Sequence, residues 1–316
     1  MRALVTGGAG FIGSTLVERL LAEDHTVDVV DDLSSGTLTN LAAARRDHPG
    51  QMSFHRLDVR SADLVELMLR RRPDVVYHLA TRIGPGLAGV APTGPELLEE
   101  TSVNILGALQ VIEGARVCEA AKVVFTSSGV AIYGTVGARD LPIKESSPQQ
   151  PATPSGVAKK AIFDYLWSYR ELHSLEFTAL ALATVYGPRQ RSGGEGSVVA
   201  TFAGRLVAGE VCTLDGGGRQ TRDFVYVDDV VDALARAAQR GSGLLLNIGT
   251  GVETTVSHLY AVVAGIVGVD RDAVPGPARP GDVARSALDP ARAEIHLGWR
   301  PWTSLEAGVA AVVDAL

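Results

Sequence analysis

The sequence predicts an α/β protein, a doubly wound parallel sheet with a smaller C-terminal domain. Three observations predict it. Short apolar, branched runs alternate with amphipathic stretches from the first residues onward. A glycine-rich turn joins the first run to the first amphipathic stretch, and an acidic pair, Asp31-Asp32, closes the second run. Buried parallel strands linked by helical crossovers produce this pattern.

Taken in order, Ala3–Thr6 is a strand and Phe11–Ala22 an amphipathic helix. Thr26–Val30 and His55–Val59 read as the second and third strands, and Ala62–Arg71 as a helix. Val75–Leu79 is the fourth strand. Residues Glu96–Ala121 read as one long helix, with Val103, Leu106, Leu109 and Ile112 at helical spacing. Val123–Ser127, a helix at Val157–His173 and a strand at Phe177–Ala183 follow. After Gly187 the character changes. Arg189–Ser197 is polar and glycine-rich, which suits a loop over a ligand, and Gly276–Gly281 is punctuated by proline and glycine. Between them, Asp228–Ala238 and Leu244–Ile248 return to the first sheet. The expected domains are therefore 1–184 with 221–250, and 185–220 with 251–316.

Bulk composition narrows the function. With 316 residues, 46% hydrophobic and 21% charged, the chain can bury a large core. A net charge of -7 without a basic stripe argues against a nucleic-acid partner. Cys118 and Cys212 lie far apart with no metal-ligand spacing, so neither a disulfide framework nor a metal site is expected. No apolar run is long enough to span a membrane, and the N-terminus opens directly into a strand. A cytoplasmic protein is the expectation.

The strongest motif is Thr6–Gly13, set between strand and helix. Gly7 permits the tight turn, Gly10 lets the backbone approach a pyrophosphate, and Gly13 lets helix and strand pack closely. Phe11 and Ile12 begin the helix, whose free N–H groups and positive dipole end suit the phosphates. Asp31, with Asp32 beside it, can accept hydrogen bonds from the adenosine ribose and would repel a 2′-phosphate, which favours NAD over NADP. Asp31 could instead merely cap the next turn. Ser34 and Gly36 in that turn join the cofactor set. Asp58-Val59 should close strand three near the adenine. Leu79 and Ala80 follow strand four beside the cofactor, and His78 is either a core histidine or catalytic.

Further motifs occur in a fixed order: Asn104 in the long helix, Ser127-Ser128 ahead of Tyr133-Gly134, Lys159, and Val185–Arg189. Arg222-Asp223-Phe224 with Tyr226–Asp229, Asn247–Gly251 and Arg279–Asp282 complete the set. Together they resemble the extended short-chain dehydrogenase/reductase family, in its NAD-dependent epimerase/dehydratase branch, across nearly the whole chain. The resemblance implies a nucleotide diphosphate sugar substrate and a bound NAD that is reduced and reoxidised within one turnover. It also implies a tyrosinate base, a lysine four residues later, and a Ser or Thr hydroxyl that shares the hydrogen bond to the reacting oxygen.

One departure stands out. The pattern Tyr-x-x-x-Lys should end at Lys159, yet the residue four earlier is Ser155. A serine hydroxyl is a far poorer proton acceptor than tyrosinate. The site is then crippled by substitution at residue 155, or uses another base, or only binds its ligand. The catalytic set read from the sequence is Ser128, Ser155 and Lys159. Ser127 reads as a backbone or cofactor contact, or as strand-end packing.

The resemblance also guides the reaction. Val130 and Ala131 stand where dehydratases and decarboxylases carry acids. What remains is oxidation at C4, rotation of the keto-sugar and hydride return, a 4-epimerisation. Thr184 and Arg191 resemble the residues that meet a sugar carboxylate, so UDP-glucuronate/UDP-galacturonate is expected over UDP-glucose/UDP-galactose. A solvated loop arginine is the other reading of Arg191. Arg82 is a second candidate near the sugar, with Arg222 and Arg279 for the diphosphate and Asp282 for the uridine ribose. Relatives also imply a homodimer built on Glu96–Ala121 and Val157–His173.

Overall fold

The computed structural model describes residues 1–82, 94–193, 197–279 and 281–316. The first half is built from β1 (Arg2–Thr6), α1 (Phe11–Ala22), β2 (Thr26–Asp31), α2 (Ala42–Asp47), β3 (Met52–Arg56), α3 (Asp63–Arg71) and β4 (Val75–His78). Then come α4 (Gly94–Thr101), α5 (Ala108–Val117), β5 (Lys122–Ser128), α6 (Gly129–Tyr133), α7 (Pro154–His173) and β6 (Glu176–Leu182). The last part carries β7 (Thr184–Tyr186), α8 (Val198–Val207), β8 (Thr213–Asp215), β9 (Thr221–Arg222), β10 (Phe224–Tyr226) and α9 (Val227–Ala237). It ends with β11 (Leu244–Ile248), β12 (Thr254–Thr255), α10 (Val256–Val267), β13 (Val274–Gly276), α11 (Ala291–Leu297) and α12 (Leu305–Asp314).

Seven strands form one sheet in the order β11-β6-β5-β4-β1-β2-β3, every pair parallel. The order reverses between β1 and β4, and such a switch point opens a crevice at the carboxyl ends of the strands. Leu4, Val5, Val76, Tyr77, Val123 and Val124 are buried at the centre, covered on both faces by helices. This is the Rossmann-type sheet that the alternation predicts. A second buried cluster gathers Tyr186, Phe202, Leu206, Leu259, Val263 and Val309 from β7, α8, α10 and α12.

Three elements depart from the sequence reading, one of them the helix expected at Val157–His173, which begins at Pro154 and so takes in Ser155. Strand three runs Met52–Arg56, earlier than His55–Val59, and it is the edge strand, only partly buried along most of its length. A half-buried edge lacks the dense apolar signal that marks an inner strand. Asp58 and Val59 therefore lie beyond the strand. The long helix ends at Val117, and residues Ser102–Gly107 form a turn of π-helix between α4 and α5. That wider turn shifts the helical phase. Ile112 is accordingly buried while Leu106 is 59% exposed, so the stripe read from periodicity divides between core and surface.

Candidate active site

The site begins at the β1–α1 turn. Gly7 adopts φ +70°, and a Cβ there would lie 2.7 Å from the Ala80 nitrogen, so glycine is required where the turn crosses the end of β4. Gly13 packs so closely on the Gly7 carbonyl that no side chain fits. Helix α1 starts at Phe11 behind Gly10, with no side-chain cap and no acid in its first turn. Its first N–H groups therefore face the crevice as an anion site.

The two aspartates after β2 divide their work. Asp31 is buried; its carboxylate accepts from Ala9 N–H at 2.9 Å and Leu33 N–H at 2.9 Å. Burial raises its pKa and the two backbone donors oppose the rise. Asp31 thus shapes the glycine turn itself. Asp32 is exposed and held by the Ser34 N–H and hydroxyl at 2.9 and 2.6 Å, leaving a carboxylate at the rim. Gly36 closes on Ala9 with no room for a Cβ. Asp58 is gripped by Arg60, whose guanidinium holds it below the usual carboxylate range. Val59 is buried against Gly107.

At the other end, one small cavity is lined by His78, Ala80, Thr81, Asn104, Phe125 and Lys159. Leu79 precedes it, bonded to Thr6 through its backbone N–H at 3.1 Å. Asn104, presented by the π-turn, clamps the peptide of Arg82: its Oδ1 accepts from Arg82 N–H at 2.8 Å and its Nδ2 donates to Arg82 carbonyl at 2.7 Å. The Arg82 side chain is exposed. His78 is hydrogen-bonded to the Thr6 hydroxyl at 2.8 Å, and its pKa is pushed down to about 3, first by burial and then by the nearby Lys159 charge. His78 is a neutral core histidine.

Ser155 and Lys159 sit one turn apart on α7, on the same face of the helix. Thr153 caps that helix by accepting from Gly156 N–H at 3.2 Å. Gly156 packs against the Ala131 carbonyl so closely that only glycine fits, which draws α7 onto α6. Ser128 caps α6, its hydroxyl accepting from Ala131 N–H at 3.4 Å. Ser127 has a buried hydroxyl with no hydrogen-bond partner among the described residues. Sequence reading missed Gly156. Its signal is a glycine in the first turn of a helix, where helix propensity alone would exclude it.

The cationic candidates are engaged. Arg222 pairs with Asp282, and Arg279 pairs with Asp215 at 2.5 Å. Pro280, inside the Arg279–Asp282 motif, and residues 194–196 of the Arg189–Ser197 loop lie outside the described residues. Thr184 begins β7, and its N–H donates to the Asp223 carbonyl at 2.8 Å. Arg191 is exposed, as the loop-arginine reading has it, and donates to the Ser35 carbonyl at 3.0 Å on the turn after β2. Arg189 is similarly drawn to α1 and forms a two-pronged pair with Glu18 at 2.7 and 2.6 Å.

The glycine turn, the uncapped helix and the rim carboxylate at one end, with Lys159 and Asn104 at the other, fit an extended dinucleotide. The model of the NAD dependent epimerase/dehydratase family matches residues 3–249. The chain belongs to that family. NAD is its cofactor. A UDP-glucose 4-epimerase of Mycolicibacterium smegmatis is 44% identical over 99% of this chain and 98% of its own. Among solved structures, a UDP-glucose 4-epimerase of Thermotoga maritima with UDP-glucose is 38% identical, with a TM-score of 0.92, covering 100% of this chain and 98% of its own. A UDP-glucuronic acid 4-epimerase of Bacillus cereus, in complex with UDP-glucuronic acid and NAD, is 26% identical with a TM-score of 0.88 over 100% and 98% of the two chains. Epimerase-family relatives thus include enzymes named for both sugars.

Proposed function

We propose that this family member is built as a nucleotide-sugar 4-epimerase for the neutral pair UDP-glucose and UDP-galactose. The observation that carries the choice is the similarity over the whole chain to proteins named UDP-glucose 4-epimerase, at 44% and 38% identity, against 26% for the UDP-glucuronic acid 4-epimerase. The exposed Arg191, bonded to the Ser35 carbonyl, adds no second argument for an acid sugar. The uronate preference expected from Thr184 and Arg191 is the weaker reading.

In this reading NAD, when bound, supplies reversible hydride acceptance at the sugar C4. The chain's own groups manage the proton and the pose. Ser128 holds the C4 hydroxyl, while Lys159 places positive charge beside it and so favours loss of the proton. Ser155 occupies the position from which a phenolate would accept that proton, and its short hydroxyl makes turnover slow. Arg279 meets the diphosphate by exchanging Asp215 for phosphate oxygens, and Arg222 meets it while its grip on the Asp282–Val283 stretch is kept. Arg82 and Asp282 lie at the sugar and ribose ends.

Two finer features accompany this reading. The chain forms a homodimer through α4–α5 and α7, which carry exposed Leu98, Leu106, Val157, Tyr165 and Leu172. It works in a reducing cytoplasm, consistent with free, buried Cys118 and Cys212. Among the described residues no helix is long and apolar enough to cross a membrane.

The deciding experiment incubates the NAD-loaded protein with UDP-galactose and follows UDP-glucose. Conversion, even slow, with none of UDP-glucuronate, is expected. Conversion of the uronate pair alone would overturn the neutral-sugar assignment.

A further inference from the structure

Asp223 is 2% exposed and has no cation among its hydrogen-bond partners. Its Oδ1 accepts from the Thr250 N–H at 2.8 Å and the Thr250 hydroxyl at 2.6 Å. Its Oδ2 accepts from Gly251 N–H at 3.0 Å and Leu288 N–H at 3.0 Å. Burial raises its pKa and these donors oppose the rise. Its backbone carbonyl accepts from Thr184 N–H at 2.8 Å. One residue therefore ties together the start of β7, the turn after β11 and the segment ending at Leu288.

That segment is the one Arg222 holds. Arg222 Nη1 donates to the Val283 carbonyl at 2.6 Å, and Nη2 pairs with Asp282. Adjacent residues thus grip the same C-terminal stretch near both of its ends. Gly249 packs on the Asp223 carboxylate with no room for a side chain, so the turn is moulded to it. A buried carboxylate satisfied by several donors fixes its neighbours firmly, since releasing any of them leaves a charge unsolvated.

We propose that Asp223 is a positioning residue for the nucleotide diphosphate. Without touching the ligand, it locks Arg222 and the Asp282–Leu288 segment into one anion-binding unit. The proposal rests on the nucleotide-sugar reading above. A tie that served stability alone would lower the melting temperature and leave ligand affinity unchanged well below it.

The probe is UDP, titrated calorimetrically into the full, NAD-loaded chain. In Asp223→Asn the shape is kept, but an amide NH2 replaces one accepting oxygen. UDP affinity is expected to fall tenfold or more at a temperature where the variant is fully folded, with NAD content unchanged. Affinity within twofold of the wild type overturns the proposal. Should Asp223→Asn fail to fold, Thr250→Val removes a single donor and is expected to weaken UDP at least threefold, while Thr250→Ser keeps the hydroxyl and restores binding. Equal affinity in both Thr250 variants is again a refutation. A wild type that holds NAD but ignores UDP removes the nucleotide-sugar reading, and this inference with it.

Discussion

The phenol of Tyr133 donates to Oδ1 of Asn247 at 2.9 Å, in a fully buried position. Burial and nearby Glu145 push its pKa up. Tyr186 is equally buried, packed against Phe224 and Tyr226, and burial raises its pKa as well. Both phenols are buried and turned to partners within the protein, Tyr133 to Asn247 and Tyr186 to the backbone of Ser304 and Leu305, which disfavours either as a stand-in for a base at position 155.

Restoring that residue is the first prediction. Ser155→Tyr places a phenol one helical turn before Lys159, whose charge favours the phenolate. General-base catalysis is worth roughly 10²–10⁴-fold, and turnover of UDP-galactose should rise within that range. A Ser155 protein that already turns over rapidly, with no gain from tyrosine, would show that another group accepts the proton.

Arg191→Ala should leave the preference between UDP-glucuronate and UDP-glucose unchanged, because the guanidinium is spent on the Ser35 carbonyl. Titration of both sugars into both proteins checks this. A loss confined to the acid sugar and larger than tenfold would bring back the uronate assignment, since deleting one partner of a desolvated arginine–carboxylate pair costs about 2–5 kcal/mol.

His78 sets an acid limit. Its pKa is lowered from 6.5 to about 3, so protonation favours the unfolded chain. The stability it secures is complete above pH 6.5 and is lost progressively as pH falls from there toward 3. Each pKa unit is about 1.4 kcal/mol, which makes the full effect a few kcal/mol. His78→Gln keeps a hydrogen-bonding partner for Thr6 without the titration. Its melting temperature should fall less than that of the wild type between pH 7 and pH 4. Parallel curves would mean that His78 is not the group responsible.

Leu106, 59% exposed, and Tyr165 line the same groove between α5 and α7. If a second copy covers this face, Leu106→Glu should convert the protein to a monomer in light scattering at micromolar concentration, with little change in melting temperature. A monomeric wild type under the same conditions removes the dimer.

Much of this molecule is legible in its sequence. The β1–α1 glycine turn, the inner strands and most helix spans follow from local pattern, because a glycine requirement, a branched apolar run and a helical period are properties of neighbouring residues. Ser155 was visible for the same reason, one turn from Lys159. Tertiary structure decided what depends on distant partners. Asp31 went to the backbone of Ala9, leaving Asp32 as the rim carboxylate; Arg191 met the carbonyl of Ser35, far away in the chain; the π-turn at Ser102–Gly107 split one apolar stripe between core and surface. Asp223 became a hub only when Thr250 and Leu288 were folded against it. A hydrogen bond between residues far apart in the chain is set by packing in three dimensions, and the spacing of side chains along a sequence carries no record of it.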